Sequence, residues 1–375
     1  MLKMTENTII LQSQNLLDLA APMIESVSKK IDKLFTEEEF RSFKKVILTG
    51  CGDSYIAGPA ALGAFEAISG VRCKALFTVD ATYHLPEDLC TTSTYKTLAI
   101  GTSVSGSAGG TVKSIINLKR LGCTTLALTE NVNSPLAQKS DRILNLDPTE
   151  FSITPGTKTY FCSVISLILV AIKFGLVNGV ISEAQAAEIK QDIIDYAEAF
   201  KKEIKGINKQ TAKIAKAFKK CKHMEFVGTG LDYATAWFGR AKVYEAFGWV
   251  CTAENSEDWM HVNYFARRPK ELACVAIMSS GNPSNSRLLE NIQTMELMGR
   301  PTMIITDVEG DYPEDMFVVK IPSAKKAYIA PLLQILPITI LCGHMAEELK
   351  VPFFRGFVDP WRTAGSSIRY VEGEV

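Results

Sequence analysis

The stretch VILTGCGDSYIAG, residues 46–58, decides the fold class. It opens with a short β-branched apolar run, turns at Gly50-Cys51-Gly52 and continues into a predicted helix. A strand that passes through a glycine-rich turn directly into a helix is the building unit of a parallel α/β sheet. Further units of this kind follow along the chain.

Short apolar runs alternate with helical segments in both halves of the sequence. In the first half they are VILT (46–49), ALFTV (75–79), TLAIG (97–101), TTLAL (124–128) and ILNL (143–146). In the second half they are MEFVG (224–228), ACVAIM (273–278), TMIIT (302–306) and FVVKI (317–321). A helical stretch, Ser182 to Lys220, lies between the two sets. The alternation predicts an α/β fold in which each half is a doubly wound, mostly parallel sheet flanked by helices.

The two halves repeat one pattern at a period of about 177 residues. The matching turns are Gly50-Cys51-Gly52 with Gly228-Thr229-Gly230, Ser103-Val104-Ser105-Gly106 with Ser279-Ser280-Gly281, and Thr129-Glu130 with Thr306-Asp307. Such repetition indicates a tandem duplication of one domain. We predict a helical segment over residues 1–44, a first domain over 45–205 and a second over 206–375 that includes the C-terminal tail.

Composition excludes several classes of protein. Lys and Arg together number 41, and so do Asp and Glu, which gives no support for a nucleic-acid or membrane-surface partner. Nine cysteines without a Cys-x-x-Cys motif argue against a disulfide framework or zinc ribbon and favour reduced thiols in the cytoplasm. The N-terminus lacks the apolar core of a signal peptide. Polar residues interrupt the apolar runs 160–180 and 329–345, so we expect buried helices rather than membrane spans.

Two serine- and glycine-rich turns are candidates for anion binding. One runs from Gly101 to Thr111 and the other from Gly50 to Ser54, each between a strand and a helix. Exposed backbone N–H groups, serine hydroxyls and a helix N-terminus favour a phosphate there. The first turn is neither a Walker loop nor a Gly-x-Gly-x-x-Gly motif. The alternative for both is a structural strand-to-helix turn with a capping serine.

The helix predicted from Tyr233 to Phe247 carries Lys242 and Glu245, three residues apart on one helix face. A lysine beside a carboxylate can keep it ionised as a base, but a solvated surface ion pair gives the same pattern. The four histidines show no metal-ligand spacing, so we predict no metal site. By itself His261 is more typical of a structural or surface histidine.

The sequence resembles the double-SIS-domain phosphosugar enzymes, among them the isomerase half of glucosamine-6-phosphate synthase. The resemblance extends from Val46 to the end of the chain. The segments that carry it are VILTGCGDSYIAG (46–58), TSVSGSAGGT (102–111), Thr157-Lys158-Thr159-Tyr160 after Glu150, and GTGLDYATAWFGRAKVYEAF (228–247).

The resemblance implies a role for each site residue and implies no cofactor. It places a hexose 6-phosphate, or its amine adduct, on Cys51, Gly52, Ser54, Ser103, Ser105, Ser107, Thr111 and Lys158. It makes Glu245, beside Lys242, the base that moves a proton between C1 and C2. It also implies a homodimer in which His261 of the neighbouring subunit assists ring opening.

Three departures from the synthase narrow the expected activity. Val104 stands where the synthase loop has glutamine, and Ala108 stands where it has threonine. Gly365 occupies the position of the lysine that forms a Schiff base with the ketose, and the tail ending Arg369-Tyr370 resembles the fructosamine-6-phosphate deglycases. We therefore expect such a deglycase. The alternatives are an aldose–ketose isomerase or aminosugar-phosphate deaminase, and a non-catalytic phosphosugar-binding regulator.

Overall fold

The computed structural model describes residues 7–86, 96–146, 154–366 and 368–373. Within these ranges the chain forms two compact units, each built around a five-stranded sheet. The first-sheet unit takes its described residues from Leu19–Phe151, Lys158–Gln191 and Thr363–Val375. The second-sheet unit takes them from Met1–Asp18, Ser152–Thr157 and Asp192–Arg362.

Three helices precede the first strand: α1 (Thr8–Asn15), α2 (Ala20–Ile31) and α3 (Glu37–Ser42). The third begins with a capping box, because the Thr36 hydroxyl accepts from the Glu39 amide while the Glu39 carboxylate accepts from the Thr36 amide. The helical character expected for residues 1–44 is therefore present from Thr8 onward.

The first sheet contains β1 (Phe43–Gly50), β2 (Arg72–Phe77), β3 (Lys96–Thr102), β4 (Thr124–Thr129) and β5 (Arg142–Asn145). Its strands run parallel in the order β2-β1-β3-β4-β5. The helices of this part of the chain are α4 (Asp53–Ala64), α5 (Thr78–Tyr83), α6 (Gly109–Arg120), α7 (Pro135–Lys139) and α8 (Lys158–Val177). Nearly all of β3 is buried, as expected of a strand covered by helices on both faces.

The second sheet is reached through α9 (Glu183–Phe218), a helix of 36 residues. Its strands are β6 (His223–Val227), β7 (Val250–Glu254), β8 (Leu272–Met278), β9 (Thr302–Thr306) and β10 (Phe317–Lys320). They are parallel in the order β10-β9-β8-β6-β7, which is the same topology as the first sheet. The remaining helices are α10 (Leu231–Ala246), α11 (Ser256–His261), α12 (Asn285–Leu297), α13 (Leu336–Leu349) and α14 (Trp361–Ser366).

Short turns of other helix types complete the description. They are 3₁₀ at Leu16–Leu19, Asn263–Phe265, Pro269–Glu271, Ala327–Leu332 and Arg355–Phe357, and π at Phe65–Ser69. Two apolar segments, Lys158–Val177 and Ala327–Leu349, are long enough to cross a membrane by length and composition. Their apolar windows are 89% and 94% buried in the protein, which is the environment of core helices.

The predicted fold class is confirmed, since two parallel five-stranded sheets are each flanked by helices. The apolar runs predicted nine of the strands but missed β7, an edge strand of sequence VCTAE that is only partly buried. The predicted domain limit between residues 205 and 206 lies inside α9. Both compact units are discontinuous in sequence, and the tail after Arg362 belongs to the first-sheet unit.

Candidate functional site

The turn from β1 into α4 is tight enough to require glycine. A side-chain carbon on Gly50 would lie 2.7 Å from the carbonyl carbon of Ser54 and 2.9 Å from the carbonyl oxygen of Thr102. Gly52 has φ 56° and ψ −130°, a conformation that other residues rarely adopt. The two glycines therefore bring Ser54 against the carboxyl end of β3.

The two helices that start at these turns have no side-chain caps. No side chain bonds to the first amides of α4 or α6, although the Gly109 amide donates to the Ile368 carbonyl and the Ser54 amide to the Cys51 carbonyl. The positive dipole ends of both helices favour an anion. Ser54 lies in the first turn of α4, and the buried residue Ser103 directly follows β3. Among the described residues, no protein group bonds to the hydroxyl of either serine.

The loop after β3 orders two more predicted serines. The hydroxyl oxygens of Ser105 and Ser107 lie 2.9 Å apart, and the Ser107 amide donates to the Ser105 hydroxyl at 3.3 Å. The Gly106 amide donates to the Ser103 carbonyl at 2.9 Å and closes the turn. Serine hydroxyls and helix amides thus converge where β1 and β3 end, which is the usual ligand side of an open parallel sheet.

Cys51 links the two turns. Its exposed sulfur lies 3.6 Å from the hydroxyl of Thr111 in α6 and 3.6 Å from the hydroxyl of Thr78 in α5. The structure therefore brings the predicted residues Cys51 and Thr111 together. Thr78 was not predicted, because it lies 27 residues from Cys51 and belongs to no serine–glycine motif.

Lys158 and Glu130 occupy partly buried positions at this site. Burial lowers the pKa of Lys158 and raises the pKa of Glu130. Burial raises the pKa of the neighbouring Cys162 thiol to about 12, while the charge of Lys158 lowers that pKa and the charge of Glu130 raises it. The Glu130 amide also donates to the Val104 carbonyl of the serine loop at 3.1 Å. The repeated Thr-acid pair after the fourth strand is the sequence signal that could have identified Glu130.

The C-terminal tail lies against the same loop. Ala108 and Arg369 form an antiparallel bridge. The Tyr370 amide donates to the Ser107 carbonyl at 2.8 Å, and the Gly109 amide donates to the Ile368 carbonyl at 2.8 Å. Sequence reasoning singled out Arg369-Tyr370 but did not predict this contact, which joins backbone groups about 260 residues apart.

In the second-sheet unit, Lys242 and Glu245 form a close pair on α10. The Lys242 ammonium is 2.5 Å from a Glu245 carboxylate oxygen and 4.9 Å from the centre of the Phe238 ring. The lysine side chain is only 1% exposed, whereas the glutamate side chain is 34% exposed. This differs from a solvated surface pair, because a buried cation holds a carboxylate that solvent can still reach.

His261 ends α11 and is exposed, with 66% of its side chain accessible. Its Nε2 lies 3.0 Å from Glu257, and the Glu257 carboxylate in turn accepts from the Arg287 guanidinium at 2.7 and 2.8 Å. Arg287 first, and His261 second, lower the pKa of Glu257. His261 thus contacts Glu257 and neither Glu245 nor Lys242 among the described residues.

The matching turn of the second sheet contains a buried carboxylate. Asp232 follows Gly228 by four residues, as Ser54 follows Gly50. It accepts from the Ser279 hydroxyl at 2.8 Å, from the Gln334 amide at 2.8 Å and from the Asn282 amide at 2.8 Å. Burial raises the pKa of Asp232, which is fully inaccessible.

A second carboxylate, Asp307, directly follows β9 and bonds to the loop after β8. Asp307 accepts from the Ser280 amide at 2.7 Å and from the Ser280 hydroxyl at 2.6 Å, and it also accepts from the Ser323 hydroxyl at 2.6 Å. The donors of this loop are therefore used by carboxylates of the protein itself. Within the described ranges, no group of three or more His, Cys, Asp or Glu side chains has the arrangement of a metal site.

The first-sheet turns belong to a segment with a recognised family signature. Residues 39–176, which include both serine–glycine turns and Lys158, match the family model described as the SIS domain. This part of the chain is therefore similar to the SIS domain. The match does not extend to the second sheet, so its assignment as a second SIS domain stays a prediction.

A larger part of the chain, including the second sheet, is similar to curated relatives. It is homologous to the glutamine–fructose-6-phosphate aminotransferase (isomerizing) of Methanosarcina mazei, at 23% identity over 340 residues. That match covers 83% of this chain and 49% of the relative, so the chain spans about half the length of the curated relatives it matches.

Two solved structures have the same fold as nearly the whole chain. The C-terminal domain of glucosamine-fructose-6-phosphate aminotransferase from Francisella tularensis matches with a TM-score of 0.78 at 19% identity, covering 94% of this chain and 99% of that one. The tagatose-6-phosphate ketose/aldose isomerase of Escherichia coli matches with a TM-score of 0.69 at 15% identity, covering 96% and 97%.

Proposed function

We propose that the protein is a phosphosugar enzyme whose first-sheet turns bind the phosphate. One observation carries the proposal. The Ser54 and Ser103 hydroxyls and the uncapped N-termini of α4 and α6 stand together without a protein carboxylate bonded to them among the described residues. A dianionic phosphate suits these donors, because helix amides and hydroxyls both donate to its oxygens. The homology to phosphosugar-converting proteins supports the same substrate class.

The activity we propose within this class is that of a fructosamine-6-phosphate deglycase. No lysine follows Lys350 in this sequence, and Gly365 takes the position at which the synthase has its Schiff-base lysine. A substrate that already carries nitrogen on C1 needs no such lysine. Glu245, held by buried Lys242, then serves as the base, with His261 of a partner subunit assisting ring opening.

The proposed reaction is a proton transfer followed by hydrolysis. Glu245 takes a proton from C1 of the ketoamine while the C2 carbonyl oxygen gains a proton, which forms the C1–C2 enaminol. A proton is added at C2 and another is lost from nitrogen, which gives the imine of glucose 6-phosphate. Water then adds to C1 and the amine leaves. Anchoring the phosphate contributes by restricting the motion of the substrate during the proton transfers.

The decisive experiment is incubation with a fructosamine 6-phosphate. We expect glucose 6-phosphate and free amine, with deuterium at C2 when the reaction runs in deuterated water. Glu245→Gln should lower kcat by about a hundred- to ten-thousand-fold, because it removes the base. Its affinity for the phosphosugar should change little. Glu309→Gln, which alters an exposed carboxylate paired with Lys320, controls for a general loss of charge.

An aldose–ketose isomerase is the second candidate, favoured by the fold shared with the E. coli ketose/aldose isomerase. Interconversion of fructose 6-phosphate and glucose 6-phosphate at a rate above that of the deglycase reaction would replace our proposal. Ammonia release from glucosamine 6-phosphate would indicate the deaminase instead. Binding of phosphosugars without turnover of any of these substrates would indicate a regulator.

The proposal includes a cytoplasmic homodimer with shared sites. Glu245→Gln and His261→Asn homodimers should each be nearly inactive. Mixed dimers refolded from the two variants should regain activity, since one of their two sites combines an intact Glu245 with an intact His261. If activity stays absent while mass spectrometry confirms mixed dimers, both residues act within one chain.

A further inference from the structure

The last described residues of the chain form a short strap on the serine loop. Two backbone hydrogen bonds flank the antiparallel bridge between Arg369 and Ala108. In one the Tyr370 amide donates to the Ser107 carbonyl, and in the other the Gly109 amide donates to the Ile368 carbonyl. The bonded loop residues lie between the predicted phosphate-binding Ser105 and the first turn of α6. The strap therefore holds the segment that must present its donors to the phosphate.

Side chains fasten the strap at two further points. Tyr370 packs against the buried apolar cluster that includes Val112, Ile115 and Leu118 on the inner face of α6. The next contact is an ion pair between Glu372 and Lys139 of α7, at 2.8 Å. Lys139, and less strongly Tyr370, lower the pKa of the Glu372 carboxyl. Backbone bonding, apolar packing and charge thus act together over the five positions 368–372.

Close approach at the loop makes this docking specific. A side-chain carbon on Gly109 would lie 3.2 Å from the Ile368 carbonyl oxygen, so the tail backbone uses the space that glycine leaves open. Without the tail, the Ser107 carbonyl and the Gly109 amide would lose their partners at the entrance to α6. The loop would then sample more conformations, and ordering it around a ligand would cost conformational entropy that the docked tail has already removed.

We propose that residues 368–372 are positioning residues for the phosphate loop, and that tail docking and phosphosugar binding are thermodynamically coupled. This inference rests on the proposed phosphate site. Coupling between two binding equilibria is reciprocal, so the factor by which the docked tail improves affinity equals the factor by which bound phosphosugar stabilises docking. A merely structural tail would stabilise the fold without this equality.

The test measures both sides of the coupling in the full-length protein. Titration calorimetry with glucose 6-phosphate compares the wild type, Tyr370→Ala, and a chain that ends after Ser366. We expect Tyr370→Ala and the truncated chain to bind about tenfold more weakly. Tyr83→Ala is the matched control, because Tyr83 is an exposed tyrosine at 65% accessibility outside both the tail and the phosphate loop. Its affinity should equal that of the wild type.

Hydrogen exchange measures the other half of the coupling, which is the stabilisation of tail docking by bound phosphosugar. The Tyr370 and Gly109 amides should exchange more slowly at saturating glucose 6-phosphate, by the same factor that truncation costs in affinity. Thermal unfolding of each variant confirms that it is folded, and Tyr370→Ala keeps the test valid if the truncated chain is not.

The outcomes separate the strap from the phosphate site. Equal affinity of the folded Tyr370→Ala protein, the truncated protein and the wild type would overturn the strap while leaving the phosphate site in place. Unchanged exchange at the two amides on ligand binding would do the same. Failure of the wild type to bind any hexose 6-phosphate would overturn the proposed function itself.

Discussion

The two sheets carry the same turn but use it differently. Gly52 and Gly230 have nearly equal backbone angles, with φ 56° and 58° and ψ −130° and −126°. Two residues later the first turn has Ser54, while the second has Asp232, whose carboxylate accepts hydrogen bonds from three neighbouring side chains. The second turn thus contains a buried carboxyl group that takes up neighbouring donors, whereas the Ser54 hydroxyl of the first turn bonds to no protein group among the described residues.

The loops after the third strand of each sheet differ in the same sense. Ser280 donates from both its amide and its hydroxyl to Asp307, whereas Ser105 bonds to its neighbour Ser107. The first sheet has the longer Glu130 where the second has Asp307. The two sheets therefore share one backbone framework and differ in whether a carboxylate of the protein bonds to the serine of the loop.

The strongest way to break this comparison is to give the first turn the residue of the second. Ser54→Asp places a negative charge where the phosphate is proposed to bind. Repulsion of about 3 kcal/mol at such short range corresponds to a loss of affinity of more than about 100-fold. Titration calorimetry with glucose 6-phosphate measures it.

The control for this variant is Ser54→Asn, which has the same size without the charge. It should lose about tenfold in affinity, the cost of one hydroxyl donor to a charged group. An affinity of Ser54→Asp equal to that of Ser54→Asn would show that the phosphate does not lie near this position.

A matched pair of serines sharpens the comparison. Ser105→Ala should weaken glucose 6-phosphate binding by about tenfold and leave the midpoint of unfolding nearly unchanged. Ser280→Ala should do the opposite, because its hydroxyl bonds to Asp307. It should lower the free energy of unfolding by about 1 kcal/mol and leave affinity intact. Denaturant titration and calorimetry on both variants would show whether the two effects exchange places.

The smallest expected effect concerns Lys158, which begins α8, whereas the corresponding helix α13 begins with buried Leu336. Burial lowers the pKa of Lys158 below its usual 10.5. As the pH rises through this lowered pKa, the ammonium loses its proton and its attraction for a phosphate dianion. Affinity should therefore be full at neutral pH and decline several-fold in the alkaline range before pH 10.5 is reached.

Lys158→Arg separates the titration of Lys158 from the titration of any other group. Arginine stays charged throughout the range. The affinity of the Lys158→Arg protein should therefore be close to that of the wild type at pH 7 and should decline less as the pH rises. Parallel declines in the two proteins would show that another group is responsible.

Much of the fold was readable from the sequence because it depends on local patterns. Buried parallel strands are continuous apolar runs, and the glycine turns that follow them are explicit, as at 46–58 and 224–230. We did not predict β7, because an edge strand with one well-buried side chain has no continuous apolar run. The serine loops were recognised for the same local reason, and the structure brings Cys51 and Thr111 together.

The rest of the site depends on contacts between residues distant in sequence. Nothing near Asp232 indicates that Gln334 and Asn282 donate to it, although the match with Ser54 in the repeat was available. The docking of the tail on Ser107 and Gly109 uses backbone groups, which leave no trace in residue type. The burial of Lys242 likewise depends on packing that a two-residue pattern does not reveal.

Helix α1 is bonded to a helix that is synthesised much later, since Ser13 and Thr339 are 326 residues apart. The Ser13 hydroxyl lies 2.7 Å from that of Thr339 in α13, and the Asn7 amide donates to the Gly343 carbonyl at 3.0 Å. At usual translation speeds the first helix waits roughly 20 to 70 s before its partner helix exists. The first-sheet unit, in turn, receives its final strap only with residues 368–373. A nascent chain that stops before Leu336 therefore lacks the helix that bonds to α1 in one unit and the strap of the other, so neither unit is completely packed at that point.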